Sequence, residues 1–404
     1  MLRIVKTASL ATLWLAPLLI LVAAFSSGWI PAWRAIGVPA MLPRFADLST
    51  IPEGLETLRQ GKDPLVTNPA DALGRQVNYP RIWLHLFSAL RINVKNVWVV
   101  AIPFCVFYLT CISVLIAQAK YASDALILLI ASLSIAPLLA LERGNNDLFV
   151  FSLIFLGCLT TNRYLKSLAL AAASLLKIFP IVGMIVDAIR RPARQRIVPL
   201  LLSGLVLGLL AWQWRDIDLI RHATPIFRMK SYGVLSLEQE ILHFFPDSLL
   251  SFIQMGWIVI PACWLIALSA ADLSWRHPLD LGPAAFHSPQ AEMFSVFGGI
   301  YVFTYSIGSN WDYRLIFLLP TIPFALELIR AARLRRWAVA YLVLVGVAEN
   351  ALRFERHGGT LLGHLATFPL FILILTVLAQ QCRSLVSTEF AIGPSVLPSV
   401  EISE

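Results

Sequence analysis

Long apolar runs joined by short polar stretches make up most of this chain, and only one polar stretch is extended. A run of about 20 apolar residues crosses the hydrocarbon core of a bilayer, where the backbone must close its own hydrogen bonds as helix. The pattern predicts spans near residues 7–25, 96–119, 124–141, 148–161, 197–214, 249–270, 293–308, 315–329, 337–352 and 361–381. The segment 167–190 breaks the rule, because both of its flanks are basic and basic loops stay in the cytoplasm. It predicts two half-helices that meet near Lys177 and Pro180. The expected fold is therefore an all-α polytopic membrane protein of about 11–12 transmembrane helices, two of them half-spans. Residues 1–383 form one domain in this reading, and 384–404 a flexible cytoplasmic tail.

The extended polar stretch, 26–95, follows the first span and carries Asp47, Glu53, Glu56, Asp63 and Asp71. Thr50-Ile51-Pro52-Glu53 has the spacing of a capping box, with Thr50 at the N-cap, and Gly61 supplies a stop. Ile51, Leu55 and Leu58 fall on one face, so a short amphipathic helix is expected flat on the bilayer. Pro64, Pro69, Gly74 and Pro80 punctuate a loop before a second interfacial helix with Trp83 at its surface. Asp63, in Gly-Lys-Asp-Pro, reads as a turn former.

Composition agrees with the pattern: 58% of residues are hydrophobic and 14% charged, with a mean hydropathy of +0.74. The formal charge of +8 resides in short loops between spans, which explains it by cytoplasmic retention and excludes nucleic acid as its meaning. Both termini are expected in the cytoplasm, and 26–95, 215–247 and 309–314 on the outer face. The five cysteines lie in or at the end of apolar runs and read as small buried hydrophobes, with no metal-ligand spacing.

Four polar clusters fall on the predicted outer face: the Asp47 loop, Glu142 to Asp147, Arg215 to Lys230, and Asn310 to Arg314. Each alone reads equally as a solvated helix end; together they read as one site. Asp47 stands ahead of a helix amino terminus, where the dipole favours negative charge, a position suited to a base that takes a proton from a hydroxyl. Asp63 remains a second candidate base. In Leu-Glu-Arg-Gly-Asn-Asn-Asp, Glu142 and Arg143 are able to pair, and Asn145 to cap the next helix. Lys177, deep in an apolar segment, requires an anionic partner or a route to water. Arg221, His222, Arg228 and Lys230 make a basic patch suited to phosphate or to anionic lipid headgroups. Asp216 and Asp218 diverge on a helix, so no metal is expected, and no phosphate-binding glycine loop is present.

Several strings in order resemble glycosyltransferase family 87: an early acid, Gly-x-Asp-Pro, Asn-Tyr-Pro, then Arg-Gly-Asn-x-Asp, Leu-Lys-x-x-Pro and Asp-Tyr-Arg-Leu, spread over roughly 40–330. The resemblance implies a GT-C-type integral-membrane transferase that moves a hexose, typically mannose, from a polyprenyl-phosphate donor to a lipid or glycan acceptor at the outer face of the plasma membrane. It implies no cofactor, Asp47 as general base, and Lys177, Arg143, Arg221, His222 and Arg314 as holders of the lipid phosphate. Asp63, Asn78, Tyr79, Arg81, Asn145, Asn146, Asp147 and Asp312 would then face sugar or acceptor. Two other classes fit the same pattern: a lipid or sugar transporter, which places ionisable groups at the midplane, and a non-catalytic lipid-binding protein.

Overall fold

The apolar run that opens the chain forms one helix, α1 (Leu2–Ser26), continuous through Pro17. A computed structural model describes residues 1–191, 195–244, 256–276, 288–330 and 334–391, most of them helical. After α1 come α2 (Trp29–Ala35), α3 (Ala46–Arg59), α4 (Ile82–Ala89) and α5 (Trp98–Ala117). Then follow α6 (Ala122–Ser132), α7 (Ile135–Arg143), α8 (Asp147–Leu159), α9 (Arg163–Leu176), α10 (Ile181–Arg190), α11 (Ile197–Trp212), α12 (Trp214–Ala223) and α13 (Val234–Phe244). The predicted segment 249–270 corresponds to α14 (Gly256–Arg276), its first residues lying outside the described ones.

Among the described residues, four helices are long and apolar enough to cross a membrane, or up to six when each of two bent pairs is taken as one span. The expected span at 124–141 is bent within: α6 and α7 meet at 50°. Serine hydroxyls make the break. Ser132 bonds the Leu128 carbonyl at 2.6 Å, and Ser134 bonds both the Ala131 carbonyl and the Glu349 carboxylate. Such local bonds compete with the helical ladder.

The expected break near Pro180 is present. Lys177 leaves α9 in an extended conformation, and Pro180 precedes α10. The helices run back on one another, since Lys166 meets Asp187 at 2.6 Å and Arg191 reaches the Arg163 carbonyl. The open ends of this hairpin therefore lie side by side, and Lys177 sits at its closed end.

The core centres on α7, α8, α15 (Pro289–Ile307) and a 3₁₀ segment, Asp312–Thr321. Phe151 is fully buried against Tyr108, Phe155, Phe297 and Phe317, with ring centroids 5.0–6.0 Å apart. A 3₁₀ run of this length is uncommon, and such runs accompany strained or functional segments. A two-residue antiparallel bridge pairs Ser231 with Trp311 and Tyr232 with Asn310, fixing the loop after α12 against the start of the 3₁₀ segment. At the carboxyl end, α16 (Ile322–Arg330), α17 (Arg335–Asn350) and α18 (Gly359–Ala391) complete the bundle. The expected tail at 384–404 is helical as far as Ala391, and its remainder lies outside the described residues.

The first loop departs from its expected form. Helix α3 begins at Ala46, after Phe45 in the left-handed region, so Thr50 is not an N-cap. Its hydroxyl instead reaches Asp71, and Glu53 packs against Asp71 rather than capping the backbone. Proline favours a first helical turn, which placed the start too late; Pro52 is tolerated inside α3, where it leaves the Leu48 carbonyl without its i+4 donor. Ile51 and Leu55 are buried in the protein and Leu58 is exposed. Gly54 shows why α3 lies so close to the loop, since a Cβ there would come within 2.6 Å of Val77. Trp83, expected at the surface, is buried and donates to the Leu176 carbonyl at 2.9 Å.

Candidate functional site

The site starts from one glycine. Gly144 ends α7 with φ +55°, and a Cβ there would lie 2.9 Å from Phe45. Only glycine combines that conformation with that approach. The result sets Asn145 beside the first turn of α3, where its amide donates to Asp47 Oδ2 at 2.7 Å. The Asn145 carbonyl oxygen accepts from the Asp147 N–H at 2.8 Å, so this residue caps α8 as well.

Arg75, which the sequence reading passed over, holds the other side of Asp47 with Nη1 3.5 Å from Oδ1. Its remaining donors engage Asp71 at 2.9 and 3.2 Å and the Ala46 carbonyl at 2.8 Å. Asp71 also accepts from the backbone of Leu73 and Arg75. Burial pushes the Glu53 carboxyl up to about 8, helped by its hydrogen bond to Asp71 and that neighbour's charge. Burial also acts to raise Asp71, but the bonds from Arg75 outweigh it and bring Asp71 down to about 2. The pair thus shares one proton, carried by Glu53, which has no cation of its own.

Below Asp47 lies a buried trio. Lys177 Nζ is 2.9 Å from Asp147 Oδ1, and Arg314 Nε is 3.0 Å from Oδ2. Lys177 stands over the Tyr79 ring at 4.8 Å and Arg314 over Phe179 at 5.2 Å. Asp147 is the anionic partner that a lysine in an apolar segment requires.

Asp47 opens onto a cleft of about 550 Å³ whose walls include Thr50, Asn68, Arg75, Asn78 and Tyr79 on one side and Phe227, Trp311 and Tyr313 on the other. The structure therefore brings together Asp47, Asn78, Tyr79, Asn145, Asp147 and Arg314, from three of the four clusters, with Lys177 from the broken segment. The cluster after α12 contributes Ala223, Pro225 and Phe227 to the wall, but not its cations. Arg221 and His222 lie on the exposed α12, where His222 bonds the Asp218 carbonyl.

Asp63 and Arg81 form a separate tie. Arg81 bridges Asp63 at 2.7 Å and Asp216 at 2.8 Å, locking the loop to α12. Asp63 also accepts from the Leu65 N–H, the turn role expected of it. Burial opposes the change, yet the bond from Arg81 holds the Asp63 carboxyl below its ordinary range. Arg143 pairs with Glu142 at 3.0 Å and faces a different groove. Asn146 is buried with neither amide atom bonded within the protein, and Asp312 lies near Lys230 rather than Asp47. Among the described residues, no three His, Cys, Asp or Glu side chains converge as a metal site.

Arg75 and the aromatic wall of Trp311 and Tyr313 carried little signal in the sequence. Arg75 is the one basic residue between Asp71 and Asn78, but only folding sets it between two carboxylates. No family profile, no curated protein and no solved structure matches this chain.

Proposed function

We propose that this membrane-embedded helical protein is a GT-C-type glycosyltransferase, a bundle of about 11–12 helices counting half-spans. It moves a hexose, by its resemblance to glycosyltransferase family 87 a mannose, from a polyprenyl-phosphate donor to a lipid or glycan acceptor. The reaction faces the outer side of the plasma membrane, with both termini in the cytoplasm.

The observation that carries this reading is the setting of Asp47. Its carboxylate borders a cleft large enough for a hexose, and two donors from different elements, Asn145 and Arg75, orient it. In the reaction Asp47 takes the proton of the acceptor hydroxyl as that oxygen bonds the anomeric carbon. The bond from the anomeric carbon to the phosphate oxygen breaks, the lipid phosphate leaves with the electron pair, and the configuration inverts. Aromatic walls at Tyr79, Trp311 and Tyr313 suit the apolar face of a sugar ring, and cations offset the charge on the leaving phosphate.

The test is transfer from radiolabelled polyprenyl-phosphate hexoses to extracted membrane lipids by the purified chain. Product with wild type and about 10²–10⁴-fold slower turnover with Asp47→Asn supports the reading; no product from any donor sinks it.

A second reading, a lipid or sugar transporter, is favoured by one observation: a broken hairpin with the Asp147, Lys177 and Arg314 trio at its closed end. Transporters place ion pairs at such breaks. Flux through proteoliposomes without chemical change of the sugar lipid would select it.

A further inference from the structure

A second groove lies beside the Asp47 cleft and shares Trp311 with it. It measures about 630 Å³ and is lined by the 37–41 turn, Leu352 and four basic residues: Arg34, Arg143, Lys230 and Arg353. Among the described residues no carboxylate lines it. Glu142 touches Arg143 Nε at 3.0 Å without lining the groove.

Three features distinguish this groove from a solvated basic surface. Arg143 is 5% exposed, and its Nη1 has no acceptor among the described residues, although Nε and Nη2 are held by Glu142 and the Pro39 carbonyl. A buried donor left unmatched is costly, so an acceptor from a ligand is worth more here than at a surface. Lys230 is held at φ +61°, a backbone conformation unfavourable for a lysine, which concentrates at functional sites. Gly37, with φ +88°, turns the chain where the Arg353 side chain packs, 3.5 Å from the position a Cβ would take.

We infer that this groove binds a phosphate group, with Arg143 as its buried anchor and Arg34, Lys230 and Arg353 around it. Planar guanidinium groups match phosphate oxygens two at a time. The inference rests on the transferase reading for its consequence: Trp311 lines both this groove and the Asp47 cleft, so a site for the lipid phosphate adjoins the site of the base. Lys177 and Arg314 are then free of that task, being committed to Asp147. The cavity at the far end of α5 differs, because two carboxylates, Asp124 and Glu327, line it beside Lys120 and Arg330.

The test uses full-length protein in phosphatidylcholine nanodiscs, titrated calorimetrically with dodecyl phosphate and with dodecyl glucoside as the neutral control. Wild type should bind the phosphate and not the glucoside. The exposed pair Arg34→Gln/Arg353→Gln should weaken binding by about tenfold per lost cation, and added salt should weaken it further. Competition by inorganic phosphate supports a site for the bare anion. Competition by phosphatidylglycerol alone supports a lipid headgroup site. Failure of wild type to bind, or equal affinity in the double variant and in Arg143→Gln, overturns the inference. Binding is read without sugar transfer, so the two proposals fail separately. Groove binding with no transferase product leaves this inference standing, whereas full turnover with unchanged donor KM in the double variant removes it alone.

Discussion

Replacing Glu53 by glutamine should abolish a loss of stability that wild type shows between acidic and mildly basic pH. Glu53 is 3% exposed and keeps its proton up to about 8 in the fold, against 4.5 in an unfolded chain. Below 4.5 both states carry the proton and the full contribution is present. As pH rises from 4.5 towards 8 only the unfolded chain releases it, so stability falls across that window and stays low above it. Asp71 acts in the opposite sense: its contribution is present above 3.8 and is lost as pH falls through about 2. The first loop is therefore best held near pH 4–5, where Glu53 is protonated and Asp71 ionised. At roughly 1.4 kcal/mol per pH unit the Glu53 window is worth on the order of 2–5 kcal/mol, the lower end reflecting relaxation and water entry around the pair. Glutamine preserves the donor to Asp71 without the titration. Thermal unfolding of detergent-solubilised protein should show wild type losing several degrees between pH 5 and pH 8 and Glu53→Gln losing much less. The network has a functional side too, because Arg75 bonds both Asp71 and Asp47. Once Glu53 ionises, a second negative charge draws Arg75 away from Asp47, and turnover should decline above about pH 8 in wild type alone. Parallel pH curves for the two proteins would refute the shared proton.

The remaining predictions concern the site itself. Asp47→Asn should lower turnover by about 10²–10⁴-fold with donor affinity unchanged, while Asp63→Asn, which breaks only the tie to Arg81, should lower stability and spare turnover; the reverse result in a purified assay would move the base to Asp63. Asp147→Leu should cost more folded protein than Lys177→Met, because the first leaves Lys177 and Arg314 as buried cations without their shared carboxylate, a loss of about 3–5 kcal/mol, whereas the second leaves the Asp147–Arg314 pair whole; recovery of each variant by size-exclusion chromatography checks it. Gly144→Ala should destabilise through both its positive φ and the 2.9 Å approach to Phe45, and should lower turnover by displacing Asn145 from Asp47; a variant with wild-type melting and turnover would contradict that role.

Much of the architecture needed no tertiary information. Apolar run length specifies helices in a bilayer, because an unpaired backbone has no partner in lipid, and α1, α5 and α11 lie close to the predicted runs. The basic flanks of 167–190 likewise demanded a break, and Lys177 in an apolar segment required an anionic partner or a route to water. What the sequence was unable to name was which carboxylate. Asp147 is 30 positions away from Lys177, and only the folding of the α9–α10 hairpin against α8 makes them neighbours. The error at Thr50 has the same origin. Capping rules describe a helix in isolation, whereas here Asp71 and Arg75 satisfy groups at the start of α3 from outside it. The split of α6 from α7 and the shared proton of Glu53 and Asp71 depend on contacts between distant segments, to which periodicity is blind. Local pattern determined that this chain is helical and apolar; packing alone decided which charges share a partner, and so which of them remain able to act on a ligand.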